Sequence, residues 1–438
     1  MTLRPFLAIC RDGIRESLDK RSLVVLLGLG LLCVLFCAGV SFEVRTLAES
    51  LDANAKQIGT FRSRTPGLGH FQSSMQADFE TSAARNAAPE DGLPPEFASG
   101  AIVEFRLAEI HSLDALHTSW KWFDHRRKTG EDLEAPATPP PYTDADREAF
   151  LVARFRDFGY SPVTARRLPG DEPAYRVAVA AERLDEVEGA SVMSFLFGAF
   201  EMPLEESSLA TTLAGIETTL VSTLVGFIGM LILLSSFAGF VPDMMQKGTI
   251  DLVLARPVGR VRLLLSKYFA ALLSVLVLTS LITAGCALGL FAGTGRFNPW
   301  VALSSVFATA VFAVLHAASV LVGVLTRSGN VAALVATGVW GISALVGQFH
   351  HMSKTIFEDS PLVREGLETA YTVLPKVADV GTLNELLVSR AHFGPEAFDR
   401  LYGFAFPDID WALSAGTTAA FLVACLALAA WRFRSRDF

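Results

Sequence analysis

Six runs of the chain, 22–42, 218–241, 268–295, 300–326, 330–347 and 411–431, contain no Asp, Glu, Lys or Arg. Each approaches or exceeds the roughly 20 apolar residues a helix needs to cross a bilayer, so the pattern predicts six transmembrane helices. The polar intervals between them are uneven. Runs two to five are joined by short segments, whereas 43–210 and 348–410 separate the first run from the second and the fifth from the sixth. The longer interval is of domain size. Within it Ala101–Leu107 and Ala174–Ala181 show strand-like composition with partial alternation, and Asp144–Phe158 has apolar residues at helical spacing after a turn signal. The stretch 62–95, rich in Gly, Ser, Ala and Pro, is expected to be loosely ordered, and 135–142 (APATPPPY) to be a stiff linker. The expected fold class is an α-helical polytopic membrane protein with six transmembrane helices and an extracytoplasmic α/β domain inserted between the first and second.

Charge orients this layout. The N-terminal segment 1–21 carries Leu3, Phe6, Leu7, Cys10, Ile14 and Leu18 at three- and four-residue steps among Arg4, Arg11, Arg15 and Lys20, which reads as an amphipathic interfacial helix. Segments 1–21, 242–267, Arg327 and 432–438 together hold 14 Lys+Arg against 6 acids, and the remaining polar regions are acidic. Basic loops stay in the cytoplasm. Both termini and 242–267 are therefore expected inside, 43–210 and 348–410 outside, with 211–347 as helices two to five, 411–431 as helix six and 432–438 as a cytoplasmic tail. The expected location is the cytoplasmic (inner) membrane, with the lipid bilayer as an obligate partner. An exposed bulk this acidic excludes a nucleic-acid partner. The five cysteines, Cys10, Cys33, Cys37, Cys286 and Cys425, all fall outside the two long external regions, which then cannot depend on disulfides. No His/Cys set has metal-ligand spacing, so no metal site is expected.

The segment 242–267, PDMMQKGTIDLVLARPVGRVRLLLSK, lies between the second and third runs. Pro242 is expected to stop the helix before it. Thr249 is a good N-cap, and Ile250, Val253 and Leu254 give a one-sided apolar stripe. Pro257 then disfavours helix at Arg256 and closes the element after barely two turns. The string KGTIDLVLARPVGRVRLLLSKY resembles the segment between the second and third membrane helices of type-2 ATP-binding-cassette (ABC) exporter permeases. That resemblance implies a coupling helix that sits in a groove of a separate ATPase, with Lys247, Gly248, Thr249, Ile250, Asp251, Val253, Leu254, Arg256, Pro257 and Arg260 as the coupling residues. It also implies an ABC ATPase subunit and a second permease subunit, in a homodimer or heterodimer, as partners. The bland alternative is that 242–267 is an ordinary basic cytoplasmic loop, which accounts for the charges but not for the Gly-Thr…Arg-Pro order.

The chain has no Gly-Lys dipeptide, so no P-loop, and neither a His-Glu-x-x-His nor a Gly-x-Ser-x-Gly motif. It is expected to hold no catalytic residue and no cofactor of its own, ATP being bound by the partner subunit. Two polar groups in the apolar runs stand out as candidates for a substrate path: Glu217 at the outer mouth of the second helix and His316 midway along the fourth. Against them stand ordinary roles, Glu217 as a solvated interfacial acid and His316 as a donor to a neighbouring carbonyl. The expected function is the permease of an ATP-driven exporter. The alternative is a membrane sensor or envelope-interaction protein acting through its external domain.

Overall fold

The computed structural model describes residues 21–65, 69–74, 79–107, 109–129, 142–204, 207–245, 259–356, 360–393 and 409–435. The amphipathic helix expected in 1–20, the linker at 135–141 and the coupling residues from Lys247 to Pro257 lie outside the described residues. The chain divides into two compact units, Val40–Leu213 and Met1–Gly39 with Ala214–Phe438. Helix α1 (Arg21–Ala38) opens the second of these and precedes the first.

The Val40–Leu213 unit contains, in order, β1 (Ser41–Val44), α2 (Leu47–Lys56), β2 (Thr60–Thr65), β3 (Gly69–Ser74), β4 (Phe79–Thr81), β5 (Arg85–Asn86), β6 (Ala101–Leu107), α3 (Ile110–Thr129), α4 (Asp144–Asp157), β7 (Val163–Arg167), β8 (Ala174–Val179), β9 (Ser191–Phe195) and β10 (Phe200–Pro203). These strands form three antiparallel sheets, ordered β1-β9-β10, β2-β3 and β4-β6-β8-β7, with β5 also paired to β6. The region 62–95 is thus not loose where described: most of β2 and all of β3, β4 and β5 lie in it, and Arg85 binds Asp91 with both guanidinium nitrogens at 2.8 and 2.5 Å.

Strand periodicity builds the core of this unit. Val103, Phe105 and Leu107 of β6 and Tyr175, Val177 and Val179 of β8 share one face, where they meet Phe150, Leu151 and Phe155 of α4. The intervening Ile102 and Ala178 bury against Phe97 on the other face. Helix α4 starts at a capping box, in which Thr143 accepts from the Asp146 amide and Asp146 accepts from the Thr143 amide. It is pinned to α3 by a bidentate ion pair, Arg147 Nε and Nη2 to Asp114 Oδ1 and Oδ2 at 2.7 and 2.8 Å, both residues buried.

The other unit is a helix bundle. After α1 come α5 (Leu209–Met244, its first residues in the preceding unit), α6 (Arg260–Thr294), α7 (Pro299–Thr326), α8 (Gly329–Ile356), α9 (Pro361–Val373), α10 (Val377–Arg390) and α11 (Trp411–Arg434). Among the described residues five helical stretches, in α5, α6, α7, α8 and α11, are long and apolar enough to cross a membrane. The apolar part of α1, Ser22–Ala38, is shorter. Its helix of 18 residues rises about 27 Å, close to the ~30 Å hydrocarbon thickness.

Pro242 does not stop the second run. It sits in the helical turn Phe240–Met244, which restarts after a break at Ala238–Gly239. In the first turn of a helix the missing proline N–H has no partner to lose. The break is a close packing point: a Cβ on Gly329, at the start of α8, would stand 3.0 Å from the Gly239 Cα. Elsewhere α1 packs on α6 through Gly285-x-x-x-Gly289, where a Cβ on Gly289 would be 3.0 Å from the Val34 carbonyl oxygen and the Ala38 nitrogen. One apolar cluster gathers Val241 and Met244 of α5, Leu263 and Leu264 of α6, Val320 and Val324 of α7 and Phe433 of α11. The helix ends that carry Arg260, Arg262, Lys267, Arg327, Arg432 and Arg434 are therefore brought to one end of the bundle.

His117 of α3 supplies a pH test. It is buried between the rings of Tyr142 (4.1 Å, 29°) and Phe150 (4.9 Å, 19°), and its Nδ1 has no hydrogen-bond partner among the described residues. Burial, followed by the Lys121 charge, lowers its pKa to about 4. An unfolded histidine titrates near 6.5, so the unfolded state takes up a proton that the folded state refuses. Stability from this group is present above pH ~6.5 and falls as pH drops toward 4, by about 2 kcal/mol between pH 7.5 and 5. Denaturant titration of the full-length protein, read by protease cleavage within 43–206, should show that loss. His117→Phe should flatten the dependence by the same amount, and an unchanged dependence would clear the imidazole.

Candidate functional site

At the end of the bundle away from the basic residues, three segments meet on one carboxylate. Glu217 lies nine residues into α5 and is only 2% exposed. Asn298 Nδ2 donates to its Oε2 at 2.5 Å, and His392 Nε2, just past α10, lies 2.6 Å from the same oxygen and donates to it. Asn298 cannot turn away, because its Oδ1 accepts from the Trp300 amide as the N-cap of α7 and its Nδ2 also donates to the Val388 carbonyl. A second link beside it runs from Ser304 of α7 to Asn384 of α10 at 2.9 Å. Glu217 is thus a buried acid held through its Oε2 rather than the solvated interfacial one that sequence alone allowed. Through these bonds the carboxylate ties the C-terminal flank of α10 to α5 and α7. Three residues beyond it the backbone of α5 widens into a π-helix, Leu220–Gly229, a distortion common at functional positions.

His316 belongs elsewhere. It is buried in α7, nearly parallel to Phe312 (5.0 Å, 14°) and Tyr268 (5.7 Å, 7°), with Phe237 edge-on. Neither ring nitrogen has a hydrogen-bond partner among the described residues, so the expected bond to a carbonyl is not made. Phe237 stands twenty residues after Glu217 on α5, about 30 Å along the helix. The two candidates do not form one site.

A second polar nest occupies the α9–α10 region. Lys376 is 2% exposed and donates Nζ to the Tyr371 carbonyl (2.7 Å) and to Thr417 Oγ1 of α11 (2.8 Å). Tyr371 donates its hydroxyl to buried Asp379 at 2.6 Å and stacks on His350 of α8 at 3.9 Å. Burial lowers the Lys376 pKa, and burial with the Asp379 bond raises that of Tyr371. Among the described residues no group of three or more His, Cys, Asp and Glu is placed to hold a metal ion.

A family model described as ABC-2 family transporter protein matches residues 7–438. The chain belongs to the ABC-2 transporter family. No curated protein matches it. It is accordingly a multi-pass membrane protein and a component of a transporter. In this ABC-2 protein Arg260, the first residue of α6, is the one expected coupling residue within the described part, and it lies at the basic end, opposite Glu217. Asn298, His392, Lys376 and Asp379 were not foreseen. Each is a single polar residue in a connection or an acidic region, with its partner 81 or more residues away in the case of Asn298 and Glu217, and nothing local marks it.

The Glu217 site predicts strong coupling. Glu217→Ala leaves the His392 and Asn298 donors buried without an acceptor and should lower stability by about 3 kcal/mol, as should His392→Ala. The double variant should lose clearly less than the sum, because each single change already breaks the same bond. Thermal unfolding in detergent, followed by fluorescence-detected size exclusion, measures this. Additive losses would mean that the two residues act apart.

Proposed function

We propose that this ABC-2 protein is the permease subunit of an exporter, moving its substrate outward on ATP hydrolysed by a separate ATPase subunit. The observation that carries the reading is the convergence of the basic helix ends on one side of the bundle, at the point where α5 leaves and α6 enters around KGTIDLVLARPVGR. That end is the cytoplasmic one under the positive-inside rule. It puts both termini inside, makes α1 the sixth span, and places Val40–Leu213 and the α9–α10 region outside. The basic segment then forms the coupling helix, with Lys247, Gly248, Thr249, Ile250, Asp251, Val253, Leu254, Arg256, Pro257 and Arg260 facing the ATPase. The absence of a P-loop fits a chain that borrows its ATP chemistry from a partner. Two such permeases pair above two ATPases, and closure of the ATPase dimer shifts the bundle between two states through this contact.

Two substitutions separate coupling from folding. Leu254→Asp puts a carboxylate on the apolar stripe, and desolvating it at an interface costs about 3 kcal/mol or more, a loss of over a hundredfold in affinity. Arg256→Glu reverses a charge at the helix end and should weaken docking by roughly 1 kcal/mol. Abundance in the membrane should stay near normal for both. The readout is ATPase recovered with affinity-purified permease, together with efflux from vesicles. Full recovery and transport in Leu254→Asp would remove the coupling helix from this segment.

A further inference from the structure

The β1-β9-β10 sheet has one apolar and one polar face. The register sets Ser41, Phe42 and Val44 of β1 against Ser194, Met193 and Ser191 of β9, and Phe200 and Met202 of β10 against Phe195 and Met193. Alternation therefore gathers Phe42, Val44, Met193, Phe195, Phe200 and Met202, with Ser191, on one face and leaves Ser41, Glu43, Ser194 and Glu201, with Val192 and Pro203, on the other. The apolar face is not fully covered, since Val44, Phe200 and Met202 are exposed. The turn that joins β9 to β10 goes further. Leu196 is exposed, Phe197 is 76% exposed, and both hold left-handed φ values, 50° and 60°, followed by Gly198 at 88°. Bulky residues seldom take that conformation, and it occurs mainly where function requires it. From Val192 to Pro203 the only charged residue is Glu201.

The same register says where this tip points. Strand β1 starts at Ser41, separated by Gly39 and Val40 from the last residue of α1. Because β9 runs antiparallel with Ser194 opposite Ser41, Leu196–Ala199 project beyond the end of β1 at which the chain arrives from α1. Strand β10 in turn leads to α5, which begins six residues after Pro203. Both edge strands of the sheet are thus tethered to membrane helices.

We infer that the β9–β10 tip, Leu196-Phe197-Gly198-Ala199-Phe200, is a membrane-dipping element that seats in the lipid interface. Aromatic and aliphatic side chains on a short, nearly uncharged turn suit the boundary between headgroups and acyl chains, where such anchors bind by their buried apolar area. This inference rests on the reading of α1 as a membrane span, and the experiment tests the two separately.

A photo-crosslinking amino acid is placed in the full-length protein at Phe197, at exposed Leu32 of α1, or at exposed Asp171 between β7 and β8. Each variant is reconstituted in vesicles of phosphatidylethanolamine and phosphatidylglycerol carrying a radiolabelled acyl chain. The expected result is lipid adducts at Leu32 and Phe197, each about tenfold or more above Asp171, as for groups held in the interface. Labelling at Leu32 with Phe197 at the Asp171 level, or with Phe197 joined only to protein, overturns the membrane-dipping tip and leaves α1 as a span. No lipid adduct at Leu32 overturns both. All three positions are exposed, so folding is unaffected, which circular dichroism of each variant checks.

Discussion

A polar group at membrane depth has no water to turn to, so it must find its partner inside the protein. Most of the bundle's polar side chains obey this locally: Ser274 donates to the Ala270 carbonyl at 2.9 Å, and Thr279 to that of Val275 at 2.8 Å. Others are satisfied between helices, Thr283 on the Ala302 carbonyl and Tyr268 on that of Ala313. The same constraint explains why the described part of 348–410 is packed on the bundle. Asp379 is bonded by Tyr371 of α9, whereas Lys376, Asn384 and His392 are buried against matching groups on α11, α7 and α5, and these bonds draw the α9–α10 region onto the bundle. His316 is an exception, as are the Ser319 and Ser343 hydroxyls: flat against two aromatic rings, it fills an aromatic's place in the packing, and its nitrogens have no hydrogen-bond partner among the described residues.

Hydropathy is a signal summed over some twenty residues, and five of the six expected spans were correspondingly legible, the first run forming a shorter apolar helix. So were the strands at 101–107 and 174–179 and the helix from Asp144, where alternation and a capping Thr agree with the tertiary structure. Signals resting on one residue fared worse. Pro242 reads as a stop only if the helix before it is straight; the break at Gly239 turns it into a first-turn proline. The composition of 62–95 suggested little order, yet strands there pair with β6 and with each other, through partners that composition does not reveal. Glu217 could be flagged as an acid near the start of an apolar run. Its burial could not, because it depends on Asn298 and His392, which are distant in sequence and ordinary in context.

Two kinds of contact hold the helices of the bundle together. At the basic end, helices meet through small residues: Gly239 faces Gly329, and a Cβ on Gly323 would stand 3.0 Å from Pro242. Such contacts depend on shape and allow close approach without directional bonds. At the other end Glu217, Asn298 and Ser304 make bonds of fixed geometry to α10 and its C-terminal flank. Packed interfaces of the first kind shift by sliding, whereas hydrogen-bonded ones either hold or break.

Helix α5 joins these two ends. Its last turn leads into the coupling segment and its first third carries Glu217, so under the proposed function it is the shortest covalent route from the ATPase contact to the outer polar cluster. A regular α-helix would pass a displacement along as a rigid rod. Here the Gly239 break and the π-helical Leu220–Gly229 interrupt that rod twice. Helices change direction at such interruptions, since each disturbs the regular hydrogen-bond ladder. The segment of α5 between Met230 and Phe237 can then follow the basic end while Glu217 keeps its bonds to Asn298 and His392. Under the proposed function, a displacement beyond what the two interruptions absorb is expected to break that cluster and so to reach the far end of the bundle.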